Sequence, residues 1–160
     1  MIVCGIDPGL SGALAVINDE HDCESILMPT MGEKAQKIVD GGAVARFLGE
    51  HNVEFAIVEY VSARPGQGVT GMFRFGTAYG IVIGVLQAAC IPHRFVTPAK
   101  WKKEMGLSKD KSLSRRRAIE RLPLASRQFE RCKDEGRAEA ALLTLWWFEH
   151  GRPGDALRAA

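Results

Sequence analysis

The chain has 160 residues, 46% of them hydrophobic, a length and composition that suit one folded domain with a real core. No apolar run reads as long enough to span a bilayer, and the sequence opens directly on a strand-like run, so a cytoplasmic protein with no signal peptide and no membrane partner is expected. The formal charge is only +2, but it is uneven: nine Lys/Arg and three acids lie between Lys100 and Arg121, giving +6 there against −4 for the remainder.

Ile2, Val3, Cys4 and Ile6 form a short apolar run that predicts a buried strand ending at Asp7. Pro8-Gly9 turns the chain, and Gly12 to Ile17 predicts the returning strand of a hairpin. Ser25 to Met28 reads as a third strand, Thr30 to Gly42 as a loop, and Ala43 to His51 as a short amphipathic helix. Val53 to Val58 is the next strand, and it too ends in an acid, Glu59. A strand, a helix and a strand in that order predict a parallel pair beside the hairpin.

Val61 to Thr70 is rich in Gly, Pro and small polar residues, and predicts a loop that either connects or touches substrate. Gly71 to Cys90 is a largely apolar helix in which Gly76, Gly80 and Gly84 make a stripe. Packing of that stripe onto the sheet is favoured over a contact with a second subunit. Phe73 and Phe75 are expected in the core, with base stacking the alternative. His93 to Val96 is the last strand, and Thr97-Pro98 signals a helix start. Trp101 anchors a short basic helix that Gly106 breaks. Ser108 to Ser114 reads as a polar, basic linker, and Arg115 to Arg121 as a helix with Ile119 and Leu122 inward. The basic residues of this segment are either a solvated face or contacts to phosphate.

The last helix carries geometric information. On a wheel of 100° per residue zeroed at Glu135, Glu139 falls at about 40°, Leu142 at about −20° and Trp146 at about 20°. Both acids therefore share the face that buries the helix, where a carboxylate needs a partner. Asp134 fits an N-cap, favoured by the helix dipole. Asp7 taken alone also reads as a turn-capping residue. Four acids from two strand ends and one helix (Asp7, Glu59, Glu135 and Glu139) suit hard-oxygen ligation of two Mg²⁺ or Mn²⁺ ions. Such a pair supports in-line phosphodiester hydrolysis. The four cysteines and four histidines are scattered, which argues against zinc, structural disulfides and a histidine-based site.

The motifs GIDPGLSGA, IVEYV, VTPAKWKK and DEGRAEAALL, in that order, resemble the RuvC family of Holliday-junction resolvases across essentially the whole chain, most like its phage-type branch. The resemblance implies an α/β, RNase H-like mixed five-stranded sheet flanked by helices, a single domain over 1–160. It also implies a homodimer that nicks paired strands of a four-way DNA junction, located in the host cytoplasm if phage-encoded. By motif, Asp7 would bridge the ions, Glu59 would be the second-strand ligand and Glu139 the helix ligand. Bacterial members place two helix acids three apart, and that position here is Gly136; Glu135 is preferred for the fourth ligand, with Asp134 in reserve. Their aromatic after the second acid falls near Ser62, so either Phe73 substitutes or the role is absent. DNA contacts are expected from Lys100, Lys102, Lys103, Lys109, Lys111, Arg115, Arg116 and Phe73. Two alternatives remain, an RNase H-like nuclease for flaps, forks or RNA–DNA hybrids and a non-catalytic junction binder; an actin-like nucleotide-binding protein is set aside, since 160 residues leave no room for its second domain.

Overall fold

A computed structural model describes residues 1–60, 62, 66, 68–107 and 111–151, with backbone alone at 35, 111 and 112. Five strands make the main sheet: β1 (Val3–Asp7), β2 (Ala13–Ile17), β3 (Cys23–Leu27), β6 (Phe55–Glu59) and β7 (His93–Val96), in the order β3-β2-β1-β6-β7. The first three form an antiparallel meander, and β1, β6 and β7 run parallel. The sheet is therefore the mixed five-stranded α/β sheet that the sequence implies.

Alternate residues of the strands face opposite layers, so both faces must be covered. Cys4, Ile6, Leu14, Ala56 and Val58 pack with Val44 and Leu48 of α1 (Gly41–Glu50) and with Ala78, Val82 and Leu86 of α2 (Val69–Ala88). Val3, Ala15, Ile17, Phe55 and Ile57 pack under α5 (Glu135–His150), joined by Trp101 of α3 (Pro98–Glu104) and Ala118 of α4 (Lys111–Arg121). Helix starts follow their caps: Asp40 accepts from Ala43 N at 2.9 Å, and Thr97 accepts from Lys100 N, with Pro98 in the first turn.

Gly5 seats α5 on the sheet. A Cβ there would lie 2.3 Å from Thr144 Oγ1 and 2.4 Å from the Ala140 carbonyl, so only glycine lets the helix cross β1 at this depth. Thr144 Oγ1 in turn lies 3.0 Å from the Ala15 carbonyl, tying α5 to β2.

Several expectations are corrected. The predicted loop from Thr30 to Gly42 contains a small hairpin, β4 (Thr30–Met31) paired with β5 (Ile38–Val39). The glycine stripe does not pack on the sheet: nothing lies within 4 Å of a Cβ built at Gly76, Gly80 or Gly84, and all three are exposed. Phe73 is 77% exposed rather than in the core, while Phe75 is half-buried and stacks on Tyr79. Among the described residues α2 is long and apolar enough, by length and composition, to cross a bilayer, against the expectation that no run reaches that length. Arg115 to Arg121 lies within the longer α4, which reaches back to Lys111 into the predicted linker. Lys109 and most of the loop 61–67 lie outside the described residues, as does the side chain of Lys111.

Candidate active site

Parallel pairing of β1 with β6 brings Asp7 and Glu59 to the same edge of the sheet, at the C-terminal ends of adjacent strands. Helix α5 then lays Glu139 beside them. Asp7, Glu135 and Glu139 line one cavity of about 260 Å³ together with Ser11, Cys132, Lys133 and Gly136. Glu59 is not in that lining. It sits beneath, 9% exposed, and its Oε1 accepts from the indole N–H of Trp101 at 2.9 Å in a buried contact.

Electrostatics tie the acids together. Burial pushes the Glu59 carboxyl up to about 7, and the neighbouring Asp7 and Glu139 charges push the same way. The Trp101 hydrogen bond and the Lys102 charge oppose the rise. Lys102 Nζ is 2.8 Å from Glu139 Oε1, and Ser114 Oγ donates to the same oxygen at 3.3 Å. Lys102 also lies over the Trp101 ring, 5.2 Å from its centroid. The Lys102 ammonium is thus a cation among these acids. As the side chains stand, among the described residues no three His, Cys, Asp or Glu groups are gathered tightly enough to hold an ion. The donor set nonetheless fits a hard cation: carboxylates on three elements, one of them held largely protonated below pH 7 by burial, with the charges of Asp7 and Glu139 adding to it.

Asp134 is elsewhere occupied. Its carboxylate is fully buried and accepts from Arg131 Nε at 2.9 Å and Nη2 at 3.0 Å, with Arg137 at 3.7 Å. Those arginines hold its carboxyl below the usual carboxylate range. It occupies the N-cap position of α5 without making the capping hydrogen bond, because its oxygens face Arg131.

Gly136 sits close against backbone. A Cβ there would lie 3.1 Å from the Ser11 carbonyl, so the start of α5 presses on the β1–β2 turn. Gly136 and Glu135 both line the cavity, but a Cβ at Gly136 meets the backbone of the turn.

Of the expected DNA contacts, Lys100, Lys103 and Arg116 are exposed on α3 and α4, and Phe73 projects from the first turns of α2. Arg115 donates to the Glu130 carbonyl at 3.0 Å, and Lys102 is turned to Glu139. Sequence reasoning missed the Trp101–Glu59 bond and the Ser114 contact; a Trp next to paired lysines signals an anchored basic helix but not its acceptor. The four cysteines at 4, 23, 90 and 132 are free, as expected.

No family model matches the sequence, and no curated protein matches it. Solved structures do. Thermus thermophilus RuvC bound to a Holliday junction substrate superposes with a TM-score of 0.66 at 18% identity, covering 94% of this chain and 96% of that one. The same organism's RuvC structure gives 0.65 at 19% identity, with 94% and 97% covered. The yeast mitochondrial Holliday junction resolvase Ydc2 gives 0.52 at 14% identity, with 91% and 78% covered. The chain shares the fold of these RuvC structures, a mixed five-stranded sheet flanked by helices.

Proposed function

We propose that this protein is a divalent-metal-dependent endonuclease that resolves four-way or other branched DNA junctions. The observation that carries the reading is the convergence of Asp7, Glu59 and Glu139 from β1, β6 and α5 in a fold shared with two junction resolvases. Asp7, Glu59, Glu135 and Glu139 would hold two Mg²⁺ or Mn²⁺ ions. Such ions activate a water and stabilise the leaving oxygen of a phosphodiester, leaving 5′-phosphate and 3′-hydroxyl ends.

The chain's own residues supply the rest. Trp101 and Ser114 hold Glu59 and Glu139 by hydrogen bonds. Lys102 neutralises Glu139 before substrate arrives. Lys100, Lys103 and Arg116 offer exposed positive charge to the DNA backbone, with Lys109, Lys111 and Arg115 adding to the same basic segment. Phe73 offers an exposed ring for stacking at the crossover. A homodimer pairs two such sites, and the exposed apolar and glycine face of α2 is the surface offered for it: Val69 is 84% exposed beside Met72 and Phe73.

The test is cleavage of a labelled four-way junction beside a matched duplex, in Mg²⁺ or Mn²⁺, by the wild type and Asp7→Asn. Asparagine keeps the oxygen that accepts from Gly9 N at 3.2 Å, so the turn survives. Paired nicks by the wild type, reduced more than about a hundredfold in the variant, are expected. Tight junction binding with no cleavage in either metal would establish a non-catalytic binder instead. Preference for flaps or RNA–DNA hybrids would reassign the substrate.

A further inference from the structure

We infer that Trp101 is a positioning residue for Glu59: its indole N–H fixes one carboxylate oxygen and leaves the other for a divalent cation. The inference rests on the proposed nuclease reading. Trp101 is 1% exposed and would be buried for packing alone, among Met105, Ala118 and Leu122. A buried indole N–H needs an acceptor, and a backbone carbonyl would satisfy it at little cost. Here the acceptor is a carboxylate at a strand end, itself 9% exposed, and burying that charge is expensive. What sets this pair apart is its place: the acceptor stands beside Asp7 and Glu139.

The neighbouring residue strengthens the case. Trp101 and Lys102 are consecutive on α3, and they reach acids on two different elements, Glu59 of β6 and Glu139 of α5. Lys102 lies over the ring whose N–H holds Glu59. One short helix therefore sets the placement of two acids at once, and Thr97 caps its start by accepting from Lys100 N. Trp146 provides an internal control, because its indole N–H also meets a carboxylate, Glu104 Oε2 at 2.6 Å, away from the cavity of Asp7 and Glu139.

The experiment uses the full chain labelled with ¹⁵N and titrated with Mg²⁺, with calorimetry on the same samples. The indole N–H resonance of Trp101 is expected to move and saturate with Mg²⁺, while that of Trp146 stays. Trp101→Phe keeps a buried ring and removes the donor, and its Mg²⁺ dissociation constant is expected to rise about tenfold. In a Glu59→Gln background the same change is expected to cost nothing further, a coupling that a purely structural role would not produce. If Trp101→Phe does not fold, the wild-type resonance decides. Unchanged Mg²⁺ affinity in a folded Trp101→Phe, or a still Trp101 resonance while calorimetry records binding, overturns the inference and leaves the nuclease reading standing. No Mg²⁺ or Mn²⁺ binding by the wild type overturns both.

Discussion

Lys102 and Glu139 meet at 2.8 Å, both side chains mostly shielded from solvent, so the site carries its own cation before any metal arrives. That ammonium competes with an incoming ion for the same oxygen. Lys102→Gln should therefore bind Mn²⁺ roughly fivefold more tightly, the scale of one unit charge a few ångströms away in a wet site. The metal-free variant should also lose about 1–3 kcal/mol, because Glu139 is left half-buried beside Glu59 and Asp7. Calorimetric titration and denaturant melts read the two effects separately.

Glu59 makes the fold pay for the site. Its carboxyl is raised to about 7 from an ordinary value of 4.5. A group raised in the folded state contributes stability that is complete below pH 4.5 and is lost as pH rises through 7. Metal-free protein should thus weaken between those values by on the order of 2–3 kcal/mol. Glu59→Gln should flatten this dependence and melt higher at pH 8. Mn²⁺ affinity should rise with pH up to about 7 and level off above it, since the ion displaces a proton from Glu59.

Gly136 cannot simply be replaced by the acid that a three-residue spacing would put there. Gly136→Asp brings a Cβ to 3.1 Å from the Ser11 carbonyl and a carboxylate toward the same oxygen. A loss of about 1–3 kcal/mol is expected. Gly136→Ala should fall closer to neutral, because a gain of roughly 1 kcal/mol in helix propensity offsets part of the contact. Thermal melts of the two variants check the order.

Gly80 faces open space on α2. Gly80→Arg should leave the subunit's own stability within about 1 kcal/mol of wild type, since no neighbour within the chain is touched. If α2 is the dimer surface, the same change should convert a dimer to a monomer in light-scattering chromatography. A dimer that survives the arginine would move the interface elsewhere.

Much of this architecture is legible in the sequence. β1, β2, β6 and β7 announce themselves because short apolar runs end at Pro-Gly, at Glu59 and at Thr97-Pro98. Glu135 and Glu139 can be placed on an inward face because α5 alternates acids with a continuous apolar stripe. The stripe of α2 misleads for the opposite reason. A helix that is apolar nearly all round gives a wheel no direction, and the glycines turn outward where Ala78, Val82 and Leu86 turn in. The hairpin at Thr30–Val39 escapes because two-residue strands show no periodicity. The partner of Trp101 escapes because α3 and β6 meet only in the folded chain.

The seat of α5 at Gly5 has a bearing on when the acids can meet. Asp7 emerges from the ribosome with the first strand, but Glu139 joins it only when α5 crosses β1, after every strand has been made. The parallel pairing of β1 with β6 must also close a long loop first. A chain caught midway through synthesis thus holds Asp7 and Glu59 without Glu139, and the three acids meet only once α5 is seated on the sheet.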